Sequence, residues 1–145
     1  MKTDTLTRLK NDFSEHPVMA AEAVPEADVL ELEQAVGFKL PADYKQFVRE
    51  FGGGIVGAFS IYGLRAADAM SDDESSALEV SERFRDDGWQ GVDRWLIVSS
   101  DHSGNPVGID QNGVVWISDH DTGSINKLAE DFEGYLRKIC LELDD

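Results

Sequence analysis

The stretch LEQAVGFKLPADYKQFVREFGGG, residues 32–54, decides the fold of this chain. An amphipathic helix is predicted from Pro41 onward, because apolar side chains recur at i, i+3, i+4 and i+7: Tyr44, Phe47, Val48 and Phe51. The three glycines at 52–54 end that helix. A preceding helix is predicted from Pro25, which suits a first helical position, to Gly37, which can supply a left-handed C-terminal cap. The stretch therefore predicts two consecutive helices joined at a Leu-Pro corner.

Upstream of this stretch, Leu6, Leu9 and Phe13 have helical spacing and predict a short amphipathic helix that stops before Pro17. Downstream, the apolar period changes from 3.6 to 2, and residues 55–62 are predicted to form one strand. Another helix is predicted with three side chains facing inward: Ala77, Val80 and Phe84. The chain thus passes from helices to strands interrupted by one helix.

Three further strands are predicted at residues 95–98, 107–110 and 114–118, with a two-residue hairpin turn at Asn112-Gly113. A long apolar stripe from Leu128 to Leu143 predicts a closing helix. Because hairpins dominate the connections, we expect an α+β fold with an antiparallel sheet of about four to six strands. The N-terminal helices and the C-terminal helix are expected on one face of this sheet, in a single domain spanning residues 1–145.

Positions in and around the opening stretch resemble the signature of the SUKH superfamily: Glu33, Gly37, Leu40, Pro41, Asp43, Tyr44, Phe47, Gly52 and Gly53. FSIYGL at 59–64, SSDHSGNPVGID at 99–110 and DFEGYLRKI at 131–139 are similar to later family segments, whereas residues 65–93 match least. Phe51 departs from the polar residue that the family often has before its glycines. The resemblance implies a SUKH-like fold and a role like that of the superfamily's bacterial toxin-immunity proteins and yeast cell-wall assembly regulators. The signature itself is one of packing and turns and contains no catalytic group.

The chain is strongly acidic, with 13 Lys and Arg residues against 29 Asp and Glu residues and a net charge of -16. Such a charge repels phosphate backbones and anionic lipids, so we expect neither nucleic acid nor a membrane as partner. Solubility alone could account for the acidity, and a cationic partner is the functional alternative. The lone Cys140 excludes an intrachain disulfide, and the N-terminus lacks an apolar signal core, so a cytoplasmic protein is expected.

Two Ser-Asp-His triplets, at 100–102 and 118–120, are the most metal-like feature of the sequence. The predicted two-residue turn places Asn105 opposite His120 and His102 toward Gly123, so both triplets lie at one end of the sheet. Converging His and Asp ligands could bind a divalent metal and support a hydrolase. The favoured interpretation is turn formation, because no strong metal-ligand spacing is present. We therefore expect no catalytic residue, no metal and no cofactor.

A partner-binding surface is predicted from acidic segments around the least matched helix, from the two triplets, and from one loop tryptophan that could anchor an interface. The candidates are Asp68, Asp72, Asp73, Glu74, Asp86, Asp87, Trp89, Asp101, Asp119 and Asp121. The leading hypothesis is an immunity protein that binds a cognate, basic, nuclease-type toxin. The alternative is a regulatory or scaffolding module for an endogenous cationic protein, and a metal-dependent hydrolase ranks third. The sequence does not specify an oligomeric state.

Overall fold

A computed structural model describes residues 1–71 and 75–143. It contains five α-helices: α1 (Thr3–Glu15), α2 (Glu26–Val36), α3 (Ala42–Phe51), α4 (Ala77–Asp86) and α5 (Phe132–Tyr135), which continues as a π-helical turn over Leu136–Cys140. Six strands complete the fold: β1 (Gly54–Val56), β2 (Phe59–Ile61), β3 (Leu96–Ser100), β4 (Pro106–Ile109), β5 (Val115–Asp119) and β6 (Ser124–Ala129). The α+β class with an antiparallel sheet is confirmed.

The sheet is an antiparallel meander in the order β1-β2-β3-β4-β5-β6. Paired residues of neighbouring strands point to the same face. By this register one face carries Leu96, Ile109, Val115 and Ala129, and the other carries Ile97, Gly108, Trp116 and Lys127. The strands are joined in chain order, as the hairpin-rich sequence predicts.

The helix ends agree with the glycine pattern of the opening stretch. Gly37 caps α2 with φ 89°, and Gly52 caps α3 with φ 76°. Both angles lie in the left-handed region that favours glycine. Gly52 also has no room for a side chain, because a Cβ there would lie 2.0 Å from the carbonyl oxygen of Glu22. The turn between α3 and β1 therefore requires glycine for two reasons.

Three local predictions are wrong. Residues 55–62 form a hairpin of two short strands, because the chain reverses at Gly57 (φ 62°). The β4–β5 hairpin turns over three residues, 111–113, and not over two, because Ile109 pairs with Val115 and the N–H of Asp110 donates to Val114 O at 3.1 Å. Leu128 belongs to β6, so the closing helix begins at Phe132 and not near Leu128.

The buried apolar side chains form one cluster between the helices and the sheet. Phe132 of α5 packs edge-on against Tyr44 and Phe47 of α3, with ring centroids 5.1 and 5.7 Å apart. The hydroxyl of Tyr135 donates to Ser99 Oγ of β3 at 2.9 Å. Burial raises the pKa of both Tyr44 and Tyr135. These contacts tie α3 and the closing helix to the same face of the sheet.

Strand β2 is short and pairs with only one end of β3. Helix α4 lies along the rest of that edge of β3, where no strand is paired. Ile97 of β3 donates its N–H to Ser81 Oγ at 2.7 Å, and Arg85 Nη2 donates to Trp95 O at 2.8 Å. Two side chains of α4 thus satisfy backbone groups that a neighbouring strand would otherwise bind. This attachment fixes the C-terminal end of α4 and the loop after it.

Candidate partner-binding surface

The loop that follows α4 packs against the turn between β5 and β6. Trp89 is half-buried, with its ring 5.2 Å from Phe84 of α4 and 4.9 Å from the ring of His120. Ser118 Oγ of β5 donates to Gln90 O at 2.6 Å. Because these contacts join the loop to the sheet, Trp89 is held in place and remains partly accessible to a partner.

The two Ser-Asp-His triplets lie at the same end of the sheet, as predicted. Asn105 links them, because its side-chain nitrogen donates to Asp101 Oδ2 at 2.9 Å and its Oδ1 accepts the N–H of His120 at 3.0 Å. Asp101 Oδ1 accepts two further N–H groups, from Ser103 and Asn105. The predicted proximity of Asn105 and His120 is confirmed, and the two loops form one connected unit.

Carboxylates occur on both chain segments that meet at the contact between Trp89 and His120. Asp86 and Asp87 are exposed at the end of α4, and Asp121 is exposed in the β5–β6 turn. Asp119 and Asp101 are partly buried, and both accept backbone N–H groups of their own turns. We call this set the acidic end surface: Asp86, Asp87, Trp89, Asp101, Asp119 and Asp121.

A cationic side chain, that of Arg83, also lies near the acidic end surface. The guanidinium of Arg83 lies 5.6 Å from the ring centroid of Phe84, on which Trp89 also packs. The positive charge of Arg83 offsets part of the local acidity. The free carboxylates of Asp86, Asp87 and Asp121 therefore matter most for attracting a cation.

The other predicted residues do not join this surface. Asp68 lines a cleft with Glu22, Ser76 and Glu79 at the N-terminal end of α4. Since α4 has 10 residues, that cleft lies about 15 Å along the helix from Asp86. Asp72, Asp73 and Glu74 lie outside the described residues. The predicted acidic set thus divides into the acidic end surface and a separate group around Asp68.

The position predicted for His102 is wrong. Its ring stacks on Phe59 of β2 at 4.7 Å, and its Nε2 lies 3.1 Å from Ala58 O, so it points toward the β1–β2 hairpin and away from Gly123. His102 and His120 consequently contact different aromatic rings. Within residues 1–71 and 75–143, no group of three or more His, Cys, Asp and Glu side chains could hold a metal ion.

Cys140 lies in the core and not at the surface. It is 5% exposed, and burial raises its pKa to about 12. A thiol that stays protonated at neutral pH is a poor nucleophile. Cys140 therefore contributes packing in the π-helical turn.

A groove separate from the acidic end surface was not predicted from the sequence. It lies between the end of α2, the β4–β5 loop and the face of β5, and half-buried Trp116 forms one wall. In the sequence, the hairpin predicted around residues 111–113 was the feature that could have indicated this groove, because a hairpin there brings Trp116 beside the loop.

None of the helices in the described part of the chain has the length and apolar character needed to cross a bilayer.

Comparisons with known proteins agree with the fold. A search among curated proteins finds no match. A family model described as SMI1 / KNR4 family (SUKH-1) matches residues 23–138, which is about four fifths of the chain.

Proposed function

Because the chain belongs to the SMI1 / KNR4 family (SUKH-1), we propose that it is an immunity protein that neutralises a basic, nuclease-type bacterial toxin. It binds the toxin in the cytoplasm in a one-to-one complex and performs no chemistry on it. What supports the proposal is the acidic end surface, where exposed Asp86 and Asp87 precede the partly accessible Trp89, and exposed Asp121 follows the His120 that Trp89 contacts. The family signature lies in the helices and turns, so it supports the scaffold and not this surface.

Charge favours a basic partner for this surface. A nuclease binds phosphate groups with Lys and Arg side chains, so its substrate groove is positively charged. The chain has a net charge of -16, and Asp86, Asp87 and Asp121 are exposed together at one end. Complementary charges steer association and can raise rate constants to about 10⁸–10⁹ M⁻¹s⁻¹ at low salt. Fast capture protects a cell in which the toxin is already present.

The structure of the surface suits a binding protein. Trp89 is held between Phe84 and His120, and the loops around it are fixed by hydrogen bonds to Asn105, Gln90 and their own turns. A pre-formed surface loses little conformational entropy on binding. Trp89 therefore fits the role of a rigid aromatic anchor, and the exposed carboxylates fit the role of a polar rim.

The test is inhibition of the protein encoded immediately upstream of this chain. The upstream product is purified, its nuclease activity is measured on DNA and RNA, and the chain is added in increasing amounts. We expect activity to fall linearly and to reach zero at a one-to-one ratio. Calorimetry with the same two proteins should give the same stoichiometry.

Two results would contradict the immunity function. One is an upstream product that is neither toxic nor bound by the chain. The other is tight one-to-one binding to an endogenous cationic protein with no effect on any toxin, which would assign a regulatory or scaffolding function instead. A variant in which Asp86 and Asp87 are both changed to Asn should inhibit less at high dilution, whereas Glu22→Gln with Glu31→Gln should inhibit as well as the original protein.

A further inference from the structure

The groove of which Trp116 forms one wall also has a rigid aromatic floor. Trp95 lies directly on Gly108 of β4, where an added Cβ would come within 2.7 Å of the Trp95 Cβ. Trp95 is 6% exposed and therefore cannot swing out of the groove without exposing apolar surface. Glycine at this position lets a tryptophan pack flat against the strand. The base of the groove is thus set by backbone geometry.

The indole of Trp116 is held at the groove by a carboxylate. Its Nε1 donates to Asp110 Oδ2 at 2.8 Å, and Asp110 Oδ1 accepts the N–H groups of Asn112 at 2.8 Å and Val114 at 3.1 Å. The β4–β5 loop therefore fixes both the ring and the carboxylate. A flat aromatic face and a negative charge are presented side by side.

The groove is large enough for a side chain and the peptide on either side of it. Its volume is about 570 Å³, which lies within the usual range of ligand pockets, about 300–1,000 Å³. Aromatic, aliphatic and acidic side chains line it, among them Phe38, Asp93, Trp95, Asp110, Trp116 and Ile125. Ile125 is 37% exposed, an unusual exposure for a large apolar side chain of this protein. The groove therefore combines apolar side chains with charged and polar groups, among them the carboxylates of Asp93 and Asp110.

Two arginines also line the groove, and their positions limit their effect. Arg85 is oriented by its hydrogen bond to Trp95 O, and its buried Nε has no acceptor among the described residues. Arg94 is exposed on the short helical turn before β3. The two arginines balance the two aspartates, so the long-range attraction for a cation comes from the -16 charge of the whole chain and not from the groove's own charges.

We propose that this groove receives one arginine side chain of the basic partner. The guanidinium stacks on the Trp116 ring and pairs with Asp93 and Asp110, while its carbon chain packs on Ile125 and Phe38. Arginine fits this set of groups because its planar cation stacks on aromatic faces and forms ion pairs at its edge. The inference rests on the proposed function only in that the partner is a cationic protein. It identifies a second contact with that partner, separate from the acidic end surface.

The test uses N-acetyl-L-argininamide as the probe and the three indole N–H resonances as reporters. The resonances are assigned with single Trp→Phe variants, and the probe is titrated to about 100 mM, because a cation–π contact of about 2 kcal/mol with one exposed ion pair of up to about 1 kcal/mol corresponds to a Kd of about 10 mM. N-acetyl-L-citrullinamide with matched NaCl is the neutral control. We expect saturable shifts of the Trp116 and Trp95 resonances with the arginine probe, no saturable shift of Trp89, and no saturation with the citrulline probe.

A substitution at the exposed rim provides the matched variant. Asp93 is exposed, so Asp93→Asn should fold normally and should weaken the probe about twofold to fivefold, as expected for the loss of one exposed ion pair. Equal binding of the citrulline probe would overturn the proposal. A response confined to Trp89, or no saturable response at any indole, would do the same.

These outcomes are separable from the immunity function because no toxin is needed. If the probe avoids the groove while the chain still inhibits its toxin one-to-one, only the groove proposal fails. If the probe binds the groove but no upstream toxin is inhibited, the immunity function fails and the arginine site stands.

Discussion

Replacing Ser81 by Ala tests how α4 is attached to the sheet. Ser81 is fully buried, and its Oγ accepts the N–H of Ile97 at 2.7 Å. The substitution removes one oxygen and leaves a buried strand N–H without that acceptor. Alanine is a better helix former than serine, so the change should not weaken α4 itself. Any loss of stability then reports on the contact between the helix and β3.

The expected cost follows from the desolvation of an unpaired backbone group. Leaving a buried donor unsatisfied costs about 1–3 kcal/mol of unfolding free energy. For a chain of this size, about 2–4 °C of melting temperature is lost per kcal/mol, which gives a decrease of about 2–12 °C. The loss should be local as well, because the Ile97 amide is the group that becomes unprotected.

The assay combines urea unfolding with amide hydrogen exchange. We expect a lower midpoint with an unchanged slope, and faster exchange at Ile97 than at other β3 amides. Ser14→Ala is the control, because Ser14 is exposed on α1 and its loss should change stability by less than about 0.5 kcal/mol. If Ser81→Ala and Ser14→Ala behave alike, α4 does not hold the unpaired part of β3.

Three other substitutions test the core and its charges. Gly108→Ala should cost about 1–3 kcal/mol in urea unfolding and reduce the near-ultraviolet dichroism of Trp95, because the new Cβ has no space beside that ring. An unchanged stability would contradict the packing. Tyr44→Phe should cost about 1–2 kcal/mol, because Tyr44 Oη donates to the buried Tyr62 O at 2.8 Å, and calorimetric melting measures it. Burial raises the pKa of the Asp43 carboxyl above 3.8, the value of an exposed Asp. The folded state therefore binds more protons than the unfolded state, and the free energy of unfolding falls as pH rises above about 3.8. The difference in unfolding free energy between the original protein and Asp43→Asn should therefore shrink from about pH 3 to about pH 6, and a difference that grows would refute the sign.

Helix ends were predictable because single residues specify them. Gly37 and Gly52 mark the ends of α2 and α3, since few other residues adopt their backbone angles without strain. The hairpin at Gly57 was missed because alternating apolar side chains continue on both sides of it, so the period of 2 shows no break. Strand β6 was missed because it is mostly polar, and Leu128 happens to fall at helical spacing from Phe132. Strand β6 forms because its backbone pairs with β5, and the residues of β6 alone do not indicate that pairing.

The candidate surface was predictable only where its residues are close together in the sequence. Asp86, Asp87 and Trp89 are neighbours in sequence, so their proximity follows from the end of α4. The contact between Trp89 and His120 depends on where β5 lies relative to α4, which only the sheet topology sets. One residue of difference in the β4–β5 loop was enough to change the strand register there. The position of His102 depended instead on the missed β1–β2 hairpin, which supplies the ring on which it stacks.

The association rate of the chain with its upstream toxin tests the central claim most directly. The original protein, the Asp86→Asn, Asp87→Asn double variant and the Glu22→Gln, Glu31→Gln double variant are compared by stopped flow from about 0.05 to 0.5 M NaCl. Both double variants remove two negative charges, so net charge is matched and only position differs. We expect the variant of the acidic end surface to associate about twofold to tenfold more slowly at low salt, with a weaker salt dependence, because charges at an interface rim act on association. Equal rates for the two double variants, or association that does not change with salt, would contradict the claim that this surface binds a basic partner.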